Sequence, residues 1–225
     1  MTDDLRPIDG ARWGEWVRAG GERLDSIGRS WIVFKRNTDE LLNVLDRPNN
    51  DVIFSMVLMG DDRDAIGSFW GEVDQRLHNE LASAISLIDH ARRHLVYFKS
   101  DVPVIFAEYE KRNLTIRNMN ETKFLRNMRN YLLHYGTAPM VQSLNLISGG
   151  HSFMLNAASL LKWSGWNAEM REYLSTFGDQ AGPLLGQEVT VYANAMLNMF
   201  SWLFEQRLAL FNDPDILNRF RIDEP

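Results

Sequence analysis

The chain has 225 residues, 45% of them hydrophobic, with seven Trp, no Cys and a net charge of −6. The length favours one large domain with a real core, and the missing cysteines exclude disulfides and thiolate-held metals. The acidic balance argues against a general nucleic-acid coat protein. No run of 18 apolar residues and no basic-then-apolar start occurs, so neither a membrane span nor a signal peptide is expected, and the reducing cytoplasm is the expected compartment.

Residues 1–60 read as an N-terminal cap. Pro7, Gly10, Gly14, Gly20 and Gly21 punctuate its start, and Trp13, Trp16 and Val17 suit a short docked helix. Trp31, Ile32, Phe34, Leu41, Leu42 and Val44 predict a second helical piece, broken near Arg47-Pro48-Asn49-Asn50. The apolar run 52–59 fits strand or helix equally. A helical bundle is expected over 61–136. Asp61, Asp62 and Asp64 suit a helix start. Ile66, Phe69, Trp70, Val73, Leu77, Leu81, Ala84, Ile88, Ala91 and Leu95 then step by three or four residues to about Phe98. From Leu81 onward the steps resemble a coiled-coil seam. Ser100-Asp101-Val102-Pro103 ends that helix; shorter helices over 104–117 and 119–135 follow, in antiparallel-bundle order.

After Pro139 the period changes, and two apolar runs around Ser148-Gly149-Gly150 predict a β-hairpin within 140–157. Helices over 167–177 and 184–211 make up a C-terminal part, 167–220. The second of them carries Val189, Tyr192, Met196, Met199, Phe200, Leu203 and Leu208. The expected fold class is mainly α: a single domain, an antiparallel bundle with two long helices and a small β-hairpin after the 119–135 helix.

The 119–135 helix concentrates the chemistry. Asn118 is placed to cap it, with Glu121 three residues later in a capping-box arrangement; Gly136 offers a left-handed stop and Pro139 bars continuation. On a helical wheel Phe124, Leu125, Met128, Tyr131, Leu132 and Tyr135 fill one arc. Lys123, Arg126, Asn127, Asn130 and His134 fill the opposite one, and Arg129 flanks it. From Lys111 to Tyr135 six cations face one acid, Glu121. Such a patch on an acidic chain suits transient contact with a few phosphates, and the charges taken alone fit a solvated face equally.

The run Arg129-Asn130-Tyr131-Leu132-Leu133-His134 resembles the Arg-polar-x3-His signature of the HEPN superfamily, helical domains that include RNA-cleaving toxins and defence proteins. The resemblance implies a metal-independent endoribonuclease with Arg129, Asn130 and His134 as its catalytic residues. His134 would exchange protons with the 2′-hydroxyl or the leaving oxygen, Arg129 would hold the scissile phosphate, and Asn130 would orient the histidine or the phosphate. Arg126 and Lys123, on the same arc, are further substrate contacts by geometry alone. No cofactor is implied. The resemblance also implies a homodimer in which two motifs meet, with RNA and an antitoxin or other protein as partners. Leu133 fits this, being an apolar residue that interrupts the polar arc. The other reading is a non-catalytic HEPN-like dimerising scaffold or ligand-binding protein whose Arg-His pair is structural, held by carbonyls or by acids such as Glu80 or Asp89.

Other constellations carry less. His90 and His94 lie one helical turn apart, a spacing that metal ligands use, but no Glu follows His90 and no third ligand suggests itself, so no metal site is expected. The acids at 61–64 are explained by helix capping. His78 and His151 have no clear partners in sequence. No phosphate-binding glycine loop, dinucleotide fingerprint or nucleophile elbow is present.

Overall fold

The computed structural model describes the backbone of residues 10–97, 99, 103–145, 150–178 and 181–212, and the side chains of 26–96, 99, 103–144, 150–178 and 181–206. In chain order it comprises α1 (Gly10–Asn50), α2 (Val52–Met59), α3 (Arg63–Tyr97), α4 (Pro103–Asn118) and α5 (Asn120–His134). There follow β1 (Met140–Asn145), β2 (Gly150–Leu155), α6 (Ala157–Leu160), α7 (Ala168–Ser175) and α8 (Leu185–Asn212). The expected mainly helical bundle with one hairpin is the observed architecture. Among the described residues no helix is long and apolar enough to cross a membrane.

The largest departure from expectation is α1. It is one helix of 41 residues, not two pieces, so three long helices are present where two were expected. Gly20 and Gly21 weaken a helix by about 1 kcal/mol each but do not forbid it, and tertiary packing overrides that cost. Ile27, Phe34, Leu41, Val44 and Leu45 form a continuous buried stripe, and α1 packs along α3. Glu40 bonds both Arg36 of its own helix and Arg76 of α3, and Arg47 reaches Glu72 at 2.7 Å. These pairs set the register of the two helices more than they stabilise it. Pro7 and the side chains of Trp13, Trp16 and Val17 lie outside the described residues.

The run 52–59 is helical. Asp51 caps it, its carboxylate accepting from Phe54 N–H at 3.0 Å. Eight residues reach only two turns, and Phe54 and Leu58 anchor them inward, Phe54 packing on Phe69 with ring centroids 5.5 Å apart.

Along α3 the buried apolar positions are Phe69, Val73, Leu77, Leu81, Ala84, Leu87, Ala91 and Leu95. Leu87 takes the inner place that the coiled-coil-like spacing gave to Ile88, which is only half-buried. A straight α-helix keeps nearer to 3.6 residues per turn than to 3.5, so the inner face drifts from a strict seam.

The hairpin pairs Met140 with Leu155 and Asn145 with Gly150, antiparallel. Its inner positions His151, Phe153 and Leu155 alternate, as a sheet with one covered face requires. The turn at 146–149 lies outside the described residues. His151, with no evident partner in sequence, has several in the fold. Ser55 Oγ lies 2.6 Å from Nε2, Gln142 Nε2 lies 2.8 Å from Nδ1, and Asn49 bonds both the backbone N–H and the carbonyl. The histidine therefore clips the hairpin to the α1–α2 junction.

A strap over 181–184 closes the other edge of β2. Leu155 N–H donates to Pro183 O at 2.9 Å, and Ala157 N–H to Ala181 O at 3.1 Å. The strap lies so close that a Cβ on Gly182 would run into the Leu155 carbonyl oxygen, backbone that cannot rotate away. Gly182→Ala is therefore expected to cost about 2–3 kcal/mol, as overpacking does. A melting temperature unchanged within 1–2 °C, about the scale of a few tenths of a kcal/mol, would contradict so tight a strap.

Candidate anion-binding groove on α5

The five catalytic and substrate-contact residues expected from sequence all belong to α5, so the helix ends decide where they point. Asn118 does not cap it. α4 runs through Asn118, a single residue separates the two helices, and the N-cap falls to Met119, which has no side-chain oxygen and makes no cap bond. Glu121 still places an acid in the first turn, favourable against the helix dipole. At the other end Tyr135 is the C-cap, its N–H donating to Tyr131 O at 2.9 Å. Gly136 does not take the left-handed conformation expected of it. Tyr135, counted on the apolar arc, falls past the last turn and is exposed.

The remaining apolar arc docks as expected. Phe124, Leu125, Met128 and Tyr131 are buried where α5 packs against α3, α4, α7 and α8. Phe124 stacks on Trp166, centroids 6.1 Å apart, and Tyr131 meets both Trp163 and Trp166. The tryptophans belong to the α6–α7 connection, so burial of this arc fixes α7 beside α5. Asn167 then caps α7, accepting from Met170 N–H at 2.8 Å.

That packing makes a groove of about 450 Å³. Arg117 and Asn118 line it from the end of α4, Lys123, Arg126, Asn127, Arg129 and Asn130 from α5, and Asn167 and Glu169 from α7, over an apolar floor of Ile85 and Leu114. Four cations thus face one carboxylate. Lys123 is bonded to that carboxylate, Nζ to Glu169 Oε1 at 2.5 Å, so part of its charge is already answered. Asn127 donates to Lys123 O within the helix at 2.8 Å. Arg117, Arg126 and Arg129 make no ion pair among the described residues. Three guanidiniums that make no ion pair among the described residues, around one concavity, would favour an anion there.

Among the described residues Glu80 and Asp89, the acids considered as structural partners for Arg129 and His134, bond neither of them. Asp89 accepts from Arg92 at 3.2 Å. Glu80 is fully buried on α3 with no hydrogen bond to either carboxylate oxygen, and desolvation pushes its pKa up to about 8. His90 Nδ1 lies 2.5 Å from Ser30 Oγ on α1, while His94 is buried.

The groove brings together Arg129, Asn130, Arg126 and Lys123, but not His134. The histidine is exposed at the C-terminus of α5, beyond the groove wall, flanked by exposed Leu133 and Tyr135. Three polar groove residues outside α5 had no assigned role in the sequence reading. Arg117 was visible only as one member of the basic run, and Asn167 and Glu169 enter through the aromatic packing of α6–α7 onto α5, for which no local pattern exists. Comparison with models of protein families, with curated proteins and with solved structures gives no match for this chain.

Proposed function

We propose that the α5 groove binds RNA phosphates and that the chain is a metal-independent endoribonuclease of HEPN type, with a toxin or defence role. The observation that carries this reading is the set of three guanidiniums, Arg117, Arg126 and Arg129, that make no ion pair among the described residues around one groove beside the Arg129-Asn130-x3-His134 run. Arg129 holds the scissile phosphate and stabilises its developing charge. The 2′-oxygen attacks phosphorus and the bond to the 5′-oxygen breaks. His134 serves this exchange, taking the 2′-hydroxyl proton or supplying one to the leaving oxygen. A 2′,3′-cyclic phosphate and a free 5′-hydroxyl result.

His134 is exposed and does not line its own groove, so the reading includes a homodimer. Exposed Leu133 and Tyr135 are the proposed seam, and pairing there sets the histidine of one copy toward the motif of the other. A solution mass that stays monomeric across concentration would remove this part of the proposal.

The same displacement of His134 favours a second reading, a non-catalytic module that binds anions or a ligand in the groove. Both readings predict binding. Arg126→Ala is expected to weaken RNA binding and to lower the slope of log affinity against log salt by about 0.7 for a single strand. Glu169→Gln, which releases Lys123, is expected to tighten it. Slopes unchanged by Arg126→Ala would mean that RNA does not use this groove.

A further inference from the structure

Helix α2, with the sequence Val-Ile-Phe-Ser-Met-Val-Leu-Met, is apolar at every position but Ser55, which meets His151. Such a helix is normally buried on every side. Here only one side is covered. Phe54 and Leu58 face the core, whereas Val52, Ile53, Met56 and Met59 are between 53% and 77% exposed. At 100° per residue these four fall within one arc of the helix, so their exposure is a continuous stripe and not four scattered residues. Two of them are methionines, whose flexible thioethers adapt to a partner's surface.

The charge around the stripe narrows what covers it. Asp51 stands at its start and Asp61, Asp62 and Asp64 just past its end, all exposed, with Arg63 as the cation among them. Asp51 and Asp62 also cap helices through Phe54 and Ala65 N–H, which leaves their negative charge in place. Two copies joined through this face would set acids against acids, whether the helices ran parallel or antiparallel. An anionic bilayer would meet the same repulsion. An eight-residue face also falls well short of the roughly 800 Å² per partner of a standard interface, which suits a short element.

We propose that the outer face of α2 docks an amphipathic helix of a partner protein, its apolar stripe seated on Val52, Ile53, Met56 and Met59 and its Lys or Arg flanks on the acids at both ends. This is helix-on-helix recognition with a charged rim that sets orientation and partner choice. It stands independently of the α5 groove, since α2 and α5 share no residue of either site.

The test uses the full chain and a labelled synthetic helix carrying a leucine stripe flanked by lysines, beside a counterpart flanked by glutamates. Wild type is expected to bind the lysine form and not the glutamate form. Ile53→Ser with Met56→Ser is expected to weaken binding about tenfold or more, as loss of central anchors does. Asp61→Asn with Asp64→Asn, which spares both capping acids, is expected to weaken it less and to flatten its salt dependence. All four positions are exposed, so each variant should melt with wild type, and far-UV circular dichroism checks this. Equal binding of both peptides, or unchanged affinity in the Ile53/Met56 variant, would overturn the proposal. So would a self-association abolished by that variant, which makes a second copy the occupant, or vesicle binding tighter than peptide binding.

Discussion

Replacing His134 by alanine is expected to lower RNA cleavage about 10²–10⁴-fold, the range of a lost general acid or base, while RNA affinity changes little. The histidine is outside the groove and exposed at a helix end, so its removal leaves the three guanidiniums and the core contacts of α5 untouched. Arg129→Ala is expected to act differently, lowering affinity and rate together, since on the proposed reading the guanidinium would hold the phosphate in ground and transition state. Single-turnover rates at saturating protein, set beside equilibrium binding, separate the two. If His134→Ala lost affinity in proportion to rate, the histidine would be a binding residue and not a proton carrier.

The second large effect concerns stability. Glu80 lies in the core beneath α8 with both carboxylate oxygens unbonded, and burial raises its pKa from 4.5 to about 8. Below pH 4.5 the carboxyl is protonated in folded and unfolded chains alike, and its ionisation costs nothing. Between pH 4.5 and 8 the unfolded chain releases a proton that the folded chain retains, so stability falls as pH rises, by about 1.4 kcal/mol per unit. Above pH 8 the loss levels off at on the order of 4–5 kcal/mol. Glu188 works in the same direction. Desolvation outweighs the hydrogen bond it accepts from Tyr173 at 2.8 Å, and its pKa rises to about 7. Glu80→Gln is therefore expected to match wild type near pH 4.5 and to exceed it by several kcal/mol at pH 9. Urea unfolding at both values measures this. Parallel pH profiles for the two proteins would show that Glu80 ionises freely in the fold.

Much of this architecture is legible in the sequence because periodicity and breakers agree. Phe69 to Leu95 repeat at helical spacing, Pro139 marks a change of period, and the hairpin and the last helix begin within a residue of where their patterns place them. Where reading failed, a tertiary term outweighed a local one. Gly20 and Gly21 do not interrupt α1, since the stripe from Ile27 to Leu45 is buried along α3. Asn118 is a good capping residue used instead as the last residue of α4. The run 52–59 could not be assigned because it is apolar at all positions but Ser55 and so shows no period.

The site was half legible. One helix holds Lys123, Arg126, Arg129 and Asn130 at spacings that a wheel resolves, so their shared face, though not the groove, follows from the sequence. The wall from Asn167 and Glu169 depends on Trp163 and Trp166 packing against Phe124 and Tyr131, contacts across some thirty to forty residues that leave no local trace. The wheel also put His134 in line with Asn130 but could not show that the groove ends before it.

The most direct test of the ribonuclease reading is cleavage of an end-labelled structured RNA in EDTA by wild type, Arg129→Ala and His134→Ala, with product ends identified. The reading predicts cutting by wild type alone, leaving 2′,3′-cyclic phosphates. Folded wild type that binds RNA through the groove yet never cuts it, or equal cutting by all three proteins, would contradict it.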